Sequence, residues 1–300
     1  MPKWTFADIP DQAGQTVVIT GANAGVGFAA ARMFALKGAA VVLACRDPRK
    51  GADAADRIRA ARPVGSAEFA VLDLADLDSV GGFAAAFAAG HDRLDVLVNN
   101  AAVMWPPLSR TRQGFELQFG TNHLGHFALT GRLLPLLLRT PGARVTTTAS
   151  LLQIAARIDF DDLNWERRPY SAGAAYAQSK LANMLFAQEL HRRLPTGGSG
   201  PVATACHPGW TSSQITRSAP AVMRIFGPLL GQRPEIGALS TLRAATDPDA
   251  AGGSYWGPGG PLELRGHPRP ARTPAKARDP ALAARLWAES SRLTGIDFGI

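Results

Sequence analysis

Gln15-Thr-Val-Val-Ile-Thr20 runs directly into Gly21-Ala22-Asn23-Ala24-Gly25-Val26-Gly27. The first six residues are rich in β-branched side chains and read as a short buried strand. Residues 25–37 then read as a helix that stops at Gly38. Glycines at 21, 25 and 27 lie between the two. They permit a tight turn and the close approach of a diphosphate, which the free N–H groups and dipole of a helix N-terminus favour. An ordinary strand-turn-helix using glycine only for geometry is the alternative. Three glycines at this spacing and in this position weigh against it.

Further strand-like runs follow at 40–45, 68–72, 94–99, 144–150, 202–207 and 253–256. They alternate with helical stretches, one opening at Asp47-Pro48, an alanine-rich one between the runs at 68–72 and 94–99, and others at 111–138, 174–194 and 233–246, and a terminal helix is expected at 281–293. This alternation implies βαβ units and a parallel sheet. The expected fold is a single α/β domain over 1–300, a doubly wound parallel sheet of about seven strands. Within it, 15–150 forms mainly a dinucleotide-binding half, 151–260 carries a helix and loops for substrate, and 261–300 is an irregular tail with the terminal helix. The connections 151–173 and 210–232 are long, as binding loops often are.

The chain has 300 residues, 46% of them hydrophobic, which suffices for a sizeable core. No run of eighteen apolar residues is present, and the first residues lack the apolar stretch of a signal peptide. The two cysteines, Cys45 and Cys206, fall in strand-like runs and read as buried small hydrophobes. A cytoplasmic protein is the expectation. The net charge of +8 comes from arginines scattered among alanines, without a basic stripe interleaved with aromatics. That pattern reads as a solvated surface, so no nucleic-acid partner is expected. The basic tail (Arg265, Arg269, Arg272, Lys276, Arg278) reads as a solvated extension, with peripheral membrane contact left open.

Chemistry concentrates at Tyr176-Ala-Gln-Ser-Lys180. Residues four apart share a helix face, so the ammonium can sit beside the phenol. A free tyrosine titrates near pH 10, and a neighbouring cation favours the phenolate. Such a pair can exchange a proton with a hydroxyl or carbonyl compound.

Together, Gly21-x-x-x-Gly25-x-Gly27 and Tyr176-x-x-x-Lys180 resemble the short-chain dehydrogenase/reductase family, which has a Rossmann fold. Further matches fall in the family's order: Asp73-Leu74, Asn99-Asn100-Ala101-Ala102, Asn122 within Thr-Asn-His-Leu-Gly-His, Ser150, and His207-Pro208-Gly209. Ala102 departs from the usual glycine, Thr148-Ala149-Ser150 from Ser-Ser, and the gap from Ser150 to Tyr176 is long. An insertion there, with Ser213 in place of a threonine, resembles the NADP-using retinol-dehydrogenase-like and protochlorophyllide-reductase-like branch.

The resemblance implies hydride transfer between NADP(H) and an alcohol/carbonyl pair. Tyr176 would be the acid/base, Lys180 would lower its pKa and bind the ribose, Ser150 would hold the substrate oxygen, and Asn122 would hold a water linking Lys180 to solvent. Cofactor contacts would come from Gly21, Asn23, Gly25, Val26, Gly27, Arg46, Asp73, Leu74, Asn99, Ala101, Tyr176, Lys180, Pro208, Gly209 and Ser213. Arg46 ends the second strand where an acidic residue would bind an NAD ribose, and its planar fork suits a 2′-phosphate. Asp47 reads as a helix cap before Pro48.

Leu151, Leu152, Trp210, Ile215, Met223, Ile225 and Phe226 suggest an apolar wall for a bulky lipophilic substrate. Family members occur as monomers and as homo-oligomers. A non-catalytic NADP(H)-binding sensor is the alternative function. No metal site is expected: His123 and His126 read as packing residues, and Asp159, Asp161 and Asp162 as solvated loop acids, with Phe160 and Trp165 packing that loop down. His207 reads as structural.

Overall fold

The computed structural model describes residues 3–195, 197, 200–211 and 231–300. Ser213, Ile215, Met223, Ile225 and Phe226 lie outside them. One sheet is built from β1 (Thr16–Thr20), β2 (Ala40–Cys45), β3 (Ser66–Val71), β4 (Val96–Asn99), β5 (Arg144–Thr148), β6 (Val202–Cys206), β7 (Tyr255–Pro258) and β8 (Pro268–Pro270). Their order is β3-β2-β1-β4-β5-β6-β7-β8. The first seven run parallel, and β8 pairs antiparallel with β7.

The order reverses between β1 and β4. In open α/β sheets the crevice at the carboxyl ends of such a pair is where ligands bind. Every residue of β1 is buried. That is why it reads as a continuous apolar run rather than an alternating one.

Helices cover both faces. On one side α1 (Gly25–Leu36), α2 (Pro48–Ala60) and α6 (Pro234–Thr246) pack against the sheet. On the other lie α3 (Leu77–Gly90), α4 (Gly125–Arg139), α5 (Ala172–Arg193) and α7 (Pro280–Thr294). No helix among the described residues is long and apolar enough to cross a membrane. Cys45 and Cys206 are free and buried.

Two expectations are corrected. The tail is not wholly irregular, because Pro268–Pro270 adds an eighth strand. Proline donates no ladder bond and is tolerated at a sheet edge, so the composition concealed a strand. The helix expected over 111–138 begins later. Arg110 and Glu116 form an antiparallel bridge, and Gly114 has a left-handed φ of 86°. Glu116 then caps the helical run by accepting from Phe119 N at 2.7 Å. Leu117–Phe119, a π turn at Gly120–Leu124 and α4 follow without a break.

An aromatic cluster fastens the terminal helix to α4 and α5. Phe127 lies 5.1 Å from Trp287, 4.8 Å from Phe298 and 5.5 Å from Phe186, centroid to centroid. Phe127 is fully buried. Phe127→Ala should therefore cost about 3–5 kcal/mol of stability, read as a lower urea midpoint in equilibrium unfolding.

Candidate active site

The glycine turn is held by its neighbours as well as by its own sequence. Gly21 and Gly25 take φ of 66° and 58°, a region L side chains enter only with strain. A Cβ on Gly27 would lie 2.5 Å from Asn100 Nδ2 and 2.6 Å from the Gly21 carbonyl oxygen. Thr20, at the end of β1, ties this turn to the loop after β4. Its hydroxyl accepts from Asn100 N and Ala101 N, both at 2.9 Å, while Asn100 Nδ2 donates to the Thr20 carbonyl at 2.8 Å.

His126 extends the network. Its Nε2 is 2.8 Å from Thr20 Oγ1 and its Nδ1 is 2.8 Å from the Asn122 carbonyl. A carbonyl only accepts, so Nδ1 carries the proton and Nε2 accepts from Thr20. Burial pushes the imidazole down to about 4 and keeps it neutral. His126 is thus a bonded link rather than a packing residue. His123 is closer to the expectation: buried among aromatics and pushed down to about 3, it meets Ser290 Oγ at 2.8 Å.

Asn122 lies on the π turn, a helix irregularity frequent at functional sites. Its Oδ1 accepts from Val103 N at 2.8 Å, and its Nδ2 donates to Val103 O and to Ser179 Oγ, both at 3.0 Å. The side chain is therefore a clamp on the loop after β4. Its amide is committed there.

Tyr176 and Lys180 project from α5. Both are buried, Lys180 to 1% exposure. Lys180 Nζ donates to the Thr148 carbonyl at 3.0 Å and lies 5.7 Å from the Tyr176 ring centre. Asn183 Nδ2 donates to the same carbonyl at 3.0 Å. Burial pushes Lys180 down to about 8. It also pushes the Tyr176 phenol up to about 12, with the neighbouring Ser150 hydroxyl pulling the other way. Desolvation dominates the phenol in this state. Ser150 lies just beyond β5, where it caps the 3-10 turn Leu151–Ala155 and accepts from Leu152 N at 3.3 Å.

The short chain dehydrogenase family profile matches residues 15–223. The chain belongs to the short chain dehydrogenase family. It is 42% identical to retinol dehydrogenase 13 of Homo sapiens over 95% of this chain and 86% of that one. It is 40% identical to polyprenol dehydrogenase of Mus musculus over 97% and 87%. The crystal structure of an uncharacterized protein from Mycobacterium paratuberculosis superposes with a TM-score of 0.83 at 43% identity, covering both chains fully. The likeness to dehydrogenases of retinol and polyprenol makes this chain an oxidoreductase of alcohols and carbonyls.

Elsewhere around this dehydrogenase's groove, the expected contact residues divide. Asp73 is half-buried, its Oδ1 accepting from Ala75 N at 2.9 Å, and the buried Leu74 packs its carbonyl against Gly125. Asn23 and Ala101 are half-buried, while the Val26 side chain belongs to the core. Asn99 is fully buried and donates to Thr130 Oγ1 at 3.0 Å. Its side chain braces the sheet, and Asn100 is the member of that pair that meets the glycine turn. The Pro208 carbonyl accepts from Thr211 Oγ1 at 2.8 Å and Gln232 Nε2 at 2.7 Å. Among the described residues no cluster of three His, Cys, Asp or Glu side chains could hold a metal.

The insertion between Ser150 and α5 is docked by polar groups as well as by Trp165 and Phe160. Arg168 stacks 3.8 Å from the centre of the Trp165 ring and pairs with Asp159 at 2.8 Å. Asp162 is buried, accepting from Glu166 N at 2.6 Å and Arg167 N at 3.2 Å. These two acids are structural rather than solvated. Tyr170 donates to the fully buried Glu116 at 2.9 Å, and Gln118 donates to Tyr170 Oη at 2.9 Å while accepting from Trp105 N at 2.9 Å. Trp105 is held at a φ of 58°. The insertion and the loop after β4 thus form one wall beside α5. Of the apolar residues expected to line it, Leu152 lies on the rim rather than in the interior, 42% exposed.

The depressed Lys180 makes a testable demand. Between about 8 and the ordinary 10.5, the folded protein binds fewer protons there than the unfolded chain. Relative to Lys180→Met, the wild type should gain stability as the pH rises through that window and lose it as the pH falls. Denaturant unfolding of the cofactor-free proteins from about pH 7.5 to about pH 9.5, below the range where tyrosines titrate, reads the difference.

Proposed function

We propose that this oxidoreductase uses NADP(H) and acts on a bulky, lipophilic alcohol/carbonyl pair. The observation that carries the cofactor choice lies at the end of β2. Arg46 is exposed and has no ion-pair partner among the described residues. The adjacent Asp47 is committed, accepting from Lys50 N at 3.1 Å and pairing with Lys50 Nζ at 2.9 Å. A free guanidinium and an occupied carboxylate favour a 2′-phosphate over a bare ribose hydroxyl.

The residues fit a dinucleotide. The glycine turn opens α1, and its tight packing needs glycine: a Cβ on Gly21 would collide with Ala101, and one on Gly27 with Asn100 and the Gly21 carbonyl. Lys180 has three N–H donors and one acceptor among the described residues, the Thr148 carbonyl. Two donors of a buried ammonium are then available to ribose hydroxyls. The bound nicotinamide supplies or accepts the hydride. In this reading Tyr176 gives or takes the proton at its phenol oxygen, and Ser150 Oγ holds the substrate oxygen beside it. Lys180 anchors the ribose and favours the phenolate. Asn122 keeps the loop after β4 in place.

Substrate character follows from the rim. Leu108, Leu152 and Ile154, on the loops after β4 and β5, expose 45%, 42% and 53% of their surfaces. Retinol and polyprenol, in the names of the two relatives, are both bulky and apolar. An apolar mouth of this kind suits such compounds better than a sugar.

NADPH oxidation against a panel of carbonyl compounds tests the reading. Tyr176→Phe should bind NADPH as the wild type does while turnover falls by roughly 10²–10⁴; near-normal turnover would remove the tyrosine from the chemistry. Arg46→Ala should weaken NADPH by about tenfold or more and leave NADH nearly unchanged. Equal losses for both would contradict the phosphate assignment.

A further inference from the structure

Beyond Asn122, Ser150, Tyr176 and Lys180, the carboxyl end of β6 is shaped by a carboxylate from the tail. Thr148 of β5 pairs with Cys206 of β6, and Ala149 N donates to Cys206 O at 2.8 Å. His207-Pro208-Gly209 therefore leaves the sheet beside Ser150. His207 is buried to 1% exposure, and Gly257 makes room for its ring, since a Cβ there would overlap Nε2. Gly209 N donates to His207 Nδ1 at 3.2 Å. Nδ1 is then the acceptor, so the ring proton sits on Nε2. Nε2 is 3.0 Å from Glu263 Oε2, and Oε1 of the same carboxylate accepts from Arg272 N at 2.9 Å.

Glu263 reaches this position from a strained turn. Leu262 and Glu263 take φ of 53° and 55°, two consecutive non-glycine residues in the left-handed region. Leu262 is 83% exposed, so no burial compensates the strain there. What the turn does achieve is the placement of the carboxylate under the imidazole. The same turn grips the neighbouring backbone: Trp210 N donates to Leu264 O at 2.7 Å, and Gly209, at a φ of 66°, leaves no space for a Cβ beneath that carbonyl.

We propose that Glu263 is a positioning residue: by accepting the Nε2 proton it fixes the His207 ring so that Nδ1 receives the Gly209 N–H, and it thereby sets the Pro208-Gly209 turn against the cofactor. The inference rests on reading this groove as an NADP(H) site. Glu263 itself touches neither cofactor nor substrate. A merely structural role predicts a change in stability with cofactor affinity intact; a positioning role predicts the reverse.

Glu263→Gly separates them, because glycine adopts the left-handed backbone freely and the variant folds without the strain. NADPH affinity, from the fluorescence of the bound nicotinamide, should weaken by about tenfold. The relieved strain opposes the loss of the His207 Nε2 acceptor, so the melting temperature should shift by only a few degrees, and kcat at saturating NADPH should stay within about threefold. His207→Asn retains an acceptor near the Nδ1 position but has no Nε2 proton. In that background Glu263→Gly should change NADPH affinity by less than about twofold, since the two act through one relay. Unchanged affinity in Glu263→Gly, or independent effects in the double variant, overturns the proposal. A wild type that does not bind NADPH overturns the reading beneath it, and with it the inference.

Discussion

A buried ammonium sets the terms for this active site. Lys180 sits 1% exposed on α5, and the Thr148 carbonyl at 3.0 Å is its acceptor among the described residues. A charge removed from water with one hydrogen bond is poorly compensated. The fold tolerates it because β5 ends two residues before Ser150, so that the Thr148 carbonyl points out of the ladder toward the helix. The same dryness that depresses Lys180 raises Tyr176. In this state both groups are held toward their neutral forms. In the proposed reading, charge or hydrogen bonding that enters with the cofactor eases proton movement at the phenol.

Around this pair the parallel sheet acts as a jig. Thr20 at the end of β1, the loop after β4 and Asn122 on the π turn are joined through the Thr20 hydroxyl and the neutral His126. The glycine turn and the catalytic face are thus one hydrogen-bonded unit. From the opposite side, the tail closes over β6 through Glu263 and His207 and braces the insertion through Lys276, whose Nζ donates to Ala156 O at 3.0 Å. In the proposed reading, the alcohol/carbonyl chemistry falls to groups from α5 and the β5 end. On α5, Lys180 and Asn183 meet Thr148, 32 and 35 positions earlier, and Ser179 meets Asn122, 57 positions earlier.

Much of this was legible in the chain. The β-branched run of β1, the glycine spacing and the Tyr176/Lys180 register each impose a local geometry, and local geometry can be read from residue type. What was not legible depends on partners distant in sequence. β8 was hidden because its prolines argue against a strand. Asp159 and Asp162 read as solvated until Arg168 and the backbone of residues 166 and 167 are placed beside them. His126 read as packing because nothing in a helix sequence announces that one ring nitrogen meets a threonine 106 positions earlier. The burial that raises Tyr176 in this state is hidden for the same reason: a neighbouring lysine is visible in sequence, and the degree of burial is not.

The most direct test of this account is a spectrophotometric titration of Tyr176 itself, taken as the ultraviolet difference between the wild type and Tyr176→Phe. Burial places the phenol near 12 in the free protein. With NADP⁺ bound, the positive nicotinamide and the Lys180 ammonium should both favour the phenolate, and the midpoint should fall by several units. A midpoint that starts near the ordinary value of about 10, or does not move when NADP⁺ binds, would contradict the claim that a dry Tyr176–Lys180 pair waits on the cofactor for its charge.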